Sequence, residues 1–382
     1  MFKHMLFLSF LFISQLLIGQ TSISGIVNNY TVVSEIISCE SKITVSNTIG
    51  FSPDDFVIIM QMQGAMIQEG DNSNFGDIAD LGSAGLFEKM EILSIAGNEI
   101  TFKNLLVNEY DIAGTVQLIS LPQYENASVD NPITGQTWDG STGGVVAIEV
   151  ENTLTLNADI TATGIGFRGG VKSIVSSDCN FLTNANDYFY DADNWRGAPK
   201  GEGIAAFISN KENGRGAQAN GGGGGNDHNT GGGGGGHIAS GGQGGEQDAP
   251  GTFGCSGNNP GRGGKTISAM DNRVFLGGGG GAGHFDNNNA GSSGGNGGGI
   301  IIVIANTVVS GTNRLVTNGL TPTLAGGDGA GGGGAGGSVF MLAQNVMGVL
   351  GLEAIGGDGG DTNNPADRCF GPGGGGAGGG HP

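Results

Sequence analysis

The chain has 382 residues, 81 of them glycine, and carries a net charge of −20 from 35 acidic and 15 basic side chains. With no Lys/Arg cluster to neutralise phosphates, the charge argues against nucleic acid and disfavours anionic membrane surfaces, and the acidity reads as a solubility device. Glycine far exceeds its usual ~7% share, and 69 of the 81 fall after residue 142, which puts a module boundary near Gly143.

In chain order, Met1 to Gln20 reads as a secretory signal peptide: basic Lys3, an apolar run from Leu6 to Ile13, then a small-residue exit. No Cys stands at the exit to carry a lipid anchor, and no later run approaches the ~18 apolar residues of a membrane span. Residues 22–121 predict a small β module, sandwich- or barrel-like, with strands at Ile23–Ile26, Ile43–Val45, Phe56–Met60, Met90–Ser94, Glu99–Phe102 and Thr115–Ile119. Ser52-Pro53-Asp54-Asp55 and Ala96-Gly97-Asn98 supply turns. The polar, glycine-dotted stretch Asp71–Gly85 is expected to be a surface loop. Residues 122–142 read as a connector, because Pro122 and Pro132 interrupt ladder pairing. Within it, Trp138 is expected to cap the open apolar end of the glycine-rich body that begins at Gly143, with carbohydrate stacking as the alternative.

From Gly143 one unit recurs: a glycine tract, a short apolar strand, a polar corner, a weaker strand. The copies are Val145–Val150, Ile300–Ala305 and Val339–Ala343, and Ala305 and Ala343 stand 38 positions apart. Three copies predict a parallel β-solenoid in which neighbours bury each other's apolar faces. Residues 171–296 interrupt it between the first two copies and contain the runs Gly221–Gly225, Gly231–Gly236 and Gly277–Gly281. Ordered tracts would be polyglycine II, an extended helix of three residues per turn with no internal hydrogen bonds, paired laterally to neighbouring chains. Flexible linkers are the alternative.

No constellation points to catalysis, a cofactor or a metal. Gly291-Ser292-Ser293-Gly294-Gly295 matches a nucleophile elbow, but neither the buried strand nor the helix that motif needs flanks it. Gly264-Lys265-Thr266 ends like a phosphate loop, yet Asn259 occupies the first glycine position. His228, His237 and His284 border glycine runs, where hydrogen bonding at tract ends is the reading and metal binding the sharper alternative. Asp328, Asp358 and Asp361 resemble calcium-binding nonapeptides in context but not in period. Cys39, Cys179, Cys255 and Cys369 form no CxxC pair, so disulfides or free thiols are expected in an exported chain. Tyr188, Tyr190 and Trp195 in the insert are the candidate partner contacts, the alternative being a small satellite core.

The stretches Val116–Tyr124, Gly164–Gly170, Lys200–Ala205 and Gly214–Gly221 through His228-Asn229 resemble the N-terminal portion of large glycine-rich surface proteins of Bacteroidota-type bacteria. That resemblance implies export, then type IX secretion directed by a C-terminal sorting domain, and adhesion or gliding-related roles at the cell surface. No such domain precedes Pro382, so a fragment of a longer chain is expected. The combined reading is an all-β exported protein, a non-catalytic structural or adhesive scaffold, with surface glycans or other surface proteins as partners and self-association through the solenoid ends. A glycan-binding module, or an accessory region of a larger secreted enzyme, is the alternative.

Overall fold

The computed structural model describes residues 19–172, 187–226, 228–246, 259–268, 272–285, 290–363 and 376, so the signal-peptide run lies almost wholly outside it. In chain order the strands are β1 (Thr21–Ile26), β2 (Tyr30–Ile37), β3 (Lys42–Val45), β4 (Phe56–Gln61), β5 (Met66–Ile67), β6 (Ile78–Asp80), β7 (Phe87–Ala96) and β8 (Glu99–Phe102). They continue with β9 (Val116–Ser120), β10 (Gln123–Thr134), β11 (Val145–Leu156), β12 (Ile160–Thr161), β13 (Ile300–Ser310), β14 (Arg314–Val316), β15 (Ser338–Gly348) and β16 (Gly351–Glu353). No helix among the described residues is long and apolar enough to cross a membrane.

β2, β3, β8, β7, β4 and β9 close into an antiparallel barrel, so the predicted small β module is a barrel rather than a sandwich. The period-two alternation of β4 explains its position. Val57 and Ile59 point into the barrel with Ile43, Ile92 and Leu118. Ile58 and Met60 point outward, against Val145, Ala147, Ile300 and Ile302 of the second sheet. A strand buried on both faces reads as a continuous apolar run, which is what Phe56 to Met60 is.

That second sheet is parallel and solenoid-like. β10, β11–β12, β13–β14 and β15–β16 form successive coils, with β1 on the outer side of β10. Val145, Ile300 and Ser338 share one register position, and Val150, Ala305 and Ala343 another. The sheet's other face closes a separate interior of Val146, Ile148, Ile301, Val303, Leu154, Val308 and Leu315.

The glycine tracts pack beside the coils as polyglycine II, and their amide directions repeat every third residue. Gly231 and Gly234 donate to Gly245 and Gly242 at 3.0 and 2.9 Å; Gly232 and Gly235 donate to Ala330 and Gly333 at 2.8 and 2.9 Å; Gly233 and Gly236 donate to Gly223 and Asn220 at 2.8 and 2.7 Å. In 277–284 the same rule sends Gly277, Gly280 and Gly283 to Gly298, Gly295 and Ser292. Gly278, Gly281 and His284 donate to Gly236, Gly233 and Thr230, and Gly279 and Ala282 donate to Glu202 and Pro199. A three-residue turn aims consecutive N–H groups about a third of a circle apart, so each tract bonds three neighbours.

Four expectations change. Ile23–Ile26 belongs to the solenoid sheet, because Ile23 is buried in its interior rather than in the barrel. The connector contains β10, a full coil: its ladders pair up to Val129 and resume at Ile133, so exposed Pro132 occupies a bend where no N–H is required. Trp138 caps no open end, since it is 2% exposed within the core shared by barrel and sheet. Asp71–Gly85 is more than a surface loop: it holds β6, and Phe75 within it is 1% exposed.

Close packing makes glycine identity testable. A Cβ on Gly223 would lie 2.0 Å from the Arg215 carbonyl oxygen, whereas one on Gly311 would meet nothing within 4 Å. Gly223→Ala is expected to destabilise by roughly 1–3 kcal/mol through overpacking, and Gly311→Ala to leave the thermal midpoint unchanged or slightly raised. Equal midpoints for the two variants would mean that the tracts are not close-packed.

Candidate functional site

The aromatic stretch of the insert sits where the barrel's 69–77 loop meets the glycine bundle. Tyr190 and Asn213 exchange two backbone hydrogen bonds of 3.0 Å, which sets Tyr188, Phe189 and Tyr190 against the tract 212–216. Tyr190 is 8% exposed, and burial raises its hydroxyl's pKa, with the nearby Asp187 adding to that. Phe189 packs against Phe75 with ring centres 5.4 Å apart and planes tilted by 42°, and the Lys211 ammonium lies 4.8 Å from its ring centre. Trp195 is half-buried, with the Arg196 guanidinium 5.3 Å from its ring and its carbonyl bonded to His284 Nε2 at 2.8 Å. Tyr190 and Phe189 are thus satellite core.

Tyr188 differs. Its backbone N–H donates to Asp71 Oδ1 at 2.6 Å, and its carbonyl accepts from Gly216 and from Lys200. The guanidinium groups of Arg215 and Arg262 lie 5.5 and 6.0 Å from its half-buried ring. Both arginines sit in Gly-Arg-Gly contexts, at tract positions where the backbone bonds neighbouring tracts: Arg262 N–H to the Arg215 carbonyl, and Gly223 N–H to that of Arg262, each 2.8 Å. Arg215 Nη1 donates to Asn259 Oδ1 at 2.7 Å, yet neither guanidinium forms an ion pair among the described residues, and the Nε of each is buried without a hydrogen-bond partner. Burial, then the like charge of Arg262, lowers the pKa of Arg215.

Lys200 supports this patch from beneath. It is 2% exposed, and Nζ donates to the carbonyls of Tyr188, Asn213 and Gly214 at 2.9, 2.6 and 3.0 Å. Burial pushes its pKa well down, while the charges of Asp71 and Glu212 oppose that. Three carbonyl acceptors need three N–H donors, so the geometry holds the ammonium form.

A separate polar cleft of about 750 Å³ opens between β6 and residues 265–268 with Arg273, lined by Asp77, Asp80, Lys265, Thr266, Ser268 and Arg273. Its charges are largely engaged internally. Lys265 pairs with Asp77 at 2.6 Å, and Arg273 donates to the carbonyls of Ala84 and Gly82 at 2.5 and 2.9 Å.

Trp138, the remaining aromatic candidate, is too deeply buried to stack on a ligand. It meets Phe167 edge-on at 5.9 Å and donates from Nε1 to the 7%-exposed Glu202 at 3.1 Å, a carboxylate that also holds Arg168. His237 bonds Ser338 Oγ and the Phe275 carbonyl, and His228 bonds Asn229. No group of three metal-ligating side chains occurs among the described residues. Cys39 is exposed with a free thiol, and Cys179, Cys255 and Cys369 lie outside the described residues. Sequence reasoning missed Arg215, Arg262, Lys200 and the cleft. The repeated Gly-Arg-Gly was the available signal, since a long side chain needs room that a close-packed glycine tract does not give; Arg262 is half-buried and Arg215 is 7% exposed.

No family model and no curated protein matches this chain. Among solved structures, similarity extends to the tailspike protein gp49 from Pseudomonas phage LKA1, over 38% of this chain and 23% of that one, at 16% identity and a TM-score of 0.19. The Gp54 tailspike of Acinetobacter baumannii bacteriophage AP22, in complex with A. baumannii capsular saccharide, is similar over 38% of this chain and 26% of its own, at 10% identity and a TM-score of 0.20. The chain thus spans about a quarter of the length of these structures.

The Lys200 clip yields a stability prediction. Lys200→Met removes one of the two hydrogen bonds that each of these carbonyls accepts, leaving the backbone donors Gly216, Tyr190 and Gly224 in place, so it is expected to cost about 1–3 kcal/mol in chemical denaturation. A wild-type midpoint for that variant would show the clip to be dispensable.

Proposed function

We propose that the protein is an exported structural and adhesive component of the cell surface, acting as a non-catalytic scaffold that holds a binding face rigid. The observation behind this reading is the period-three hydrogen bonding of the glycine tracts. It turns a stretch of low side-chain content into a frame with fixed backbone positions. Such a frame suits presentation of side chains, because little conformational entropy remains to be lost there when a partner binds. The signal-peptide run supports export, and the resemblance to glycine-rich surface proteins supports surface display.

Glycan binding is the second reading, and the Tyr188 patch favours it. Two guanidinium groups beside a half-buried tyrosine ring offer charged donors to a carboxylate or sulfate on a sugar, with the ring's remaining surface beside them. In a chain with 35 acidic side chains, two adjacent arginines that form no ion pair among the described residues, with the charge of Glu246 acting on Arg215, are suited to an acidic saccharide. A bound anion would also offset the repulsion between them.

Surface plasmon resonance of the full chain against immobilised uronic-acid polysaccharides and neutral glucans tests the patch. Binding to the acidic polymers alone is expected, weakening with salt and falling about 10- to 100-fold in Arg262→Ala, as for loss of a hydrogen bond to a charged group. Equal retention of acidic and neutral polymers, or unchanged affinity in Arg262→Ala, would refute the glycan reading.

A further inference from the structure

The two ends of the parallel sheet are built differently. At one end, β1 is short and bulged: its pairing with β10 breaks between Ile23 and Gly25, and Gly25 takes φ +71°. Its exposed residues are Thr21, Ser22, Ser24, Gly25 and Ile26, only the last a large apolar side chain, and Asp130 accepts from Ser22 Oγ at 2.5 Å beside the bulge. Bulges, short length and nearby charge are the features by which natural sheets close an edge to further pairing.

The other end has none of them. β15 is 11 residues long and pairs, among the described residues, with β13 alone, and Ser338–Gly348 contains no Lys, Arg, Asp, Glu or Pro. Register shows what its coil lacks. Val346 and Leu352 stand directly over Val308 and Leu315. The lower pair is 1% exposed, while Val346 and Leu352 are 47% and 44% exposed. Leu342, Met347, Val349 and Ile355 extend the apolar surface at 59, 58, 67 and 59% exposure. A coil whose register equivalents are buried, ending in an uncharged edge, is a surface built to be covered.

We infer that the cover is a second copy of this chain, pairing its own β15 antiparallel to the first across a two-fold axis through the bend at Gln344. Three observations select this occupant. The bend divides β15 into arms 338–343 and 345–348, and a two-fold through it lays each arm on the other arm of the partner, so one surface serves both copies. A chain of net charge −20 repels its copies, and an edge strand without charge is where that repulsion is least built in. Head-to-tail stacking, which would join β15 to the β1 edge, meets the bulge.

The test is light scattering on the full chain from about 1 to 100 μM, with Val346→Lys/Leu352→Lys as the edge variant. Wild type is expected at twice the mass of one chain and the variant at the single mass, with unchanged far-UV circular dichroism. Oxidative cross-linking in a background with Cys39, Cys179, Cys255 and Cys369 all replaced by Ser distinguishes the arrangements: Gln344→Cys is expected to form a disulfide with its own copy. A monomeric wild type, a variant that remains dimeric, or cross-links forming between Gln344→Cys and Ser24→Cys but not between two copies of Gln344→Cys would each overturn the inference. An unfolded double-lysine variant leaves the wild-type mass and the Gln344→Cys cross-link to decide.

Discussion

A polyglycine II segment makes no hydrogen bonds within itself, so every buried amide on it needs a partner on another segment. That requirement organises the molecule. The tract 231–236 finds its partners on 220–223, 242–245 and 330–333, and the tract 277–283 finds its own on 199–202, 233–236 and 292–298. Few of these partners are local in sequence. Fixing a residue's backbone costs about 1–2 kcal/mol, and glycine has the most freedom to lose. A single tract is therefore unstable alone, and order arrives only when several neighbours are present together. The same logic forbids side chains inside the bundle, where a Cβ on Gly294 would fall 1.9 Å from a carbonyl oxygen.

What brings the tracts together is an apolar core they do not contain. Ile204, Ala219, Ile267, Val274, Phe275 and Leu276 lie between or beside glycine runs and enter the cluster that also holds Ile58, Met60, Val145 and Ile300. The barrel is thus one wall of the bundle's anchor as well as a module with its own interior. Its junction with the solenoid sheet is stitched by buried polar groups. Gln117 and Gly143 exchange two hydrogen bonds of 2.9 Å, and Asn28 bonds both the N–H and the C=O of Ala147. An amide side chain that satisfies both backbone groups of one residue substitutes for a missing strand neighbour. With the barrel on one face and the solenoid interior on the other, β11 and β13 are double-buried, and their unbroken Val/Ile runs follow from that.

Much of this was legible from the residues. The coil repeat, the barrel-like module and the lateral pairing of glycine tracts follow from periodicity and from backbone hydrogen-bond accounting. The first coils were not. β1 and β10 lack the preceding glycine tract that marked the other copies, and Pro132 reads as a breaker unless one knows that the coil bends there. Tyr188, Tyr190 and Trp195 were visible as an aromatic group, but only the fold separates them. Tyr190 is consumed by burial, Trp195 by Arg196 and its carbonyl's bond to His284, and Tyr188 alone keeps two guanidinium neighbours. Trp138 misled because a lone Trp before a repeat looks like a cap, when its indole N–H had an internal carboxylate waiting in Glu202.

Glycine packing also separates stability from surface chemistry. In a conventional core the side chains that hold the fold and those that shape its surface share the same backbone and constrain each other. In the bundle the holding interactions are backbone amides and carbonyls. Arg262 uses its N–H and C=O to bond Arg215 and Gly223, and its side chain takes no part in either bond. Replacing such a side chain leaves the backbone donor and acceptor in place, provided that the position lies on the bundle's surface. A position such as 262 can therefore change chemistry at little cost to the frame, whereas Arg215 is 7% exposed and neighbours such as Gly223 and Gly261 admit no side chain. A scaffold that must keep its shape while its contact residues vary is served by that division, and the alternation Gly-Arg-Gly is its simplest expression.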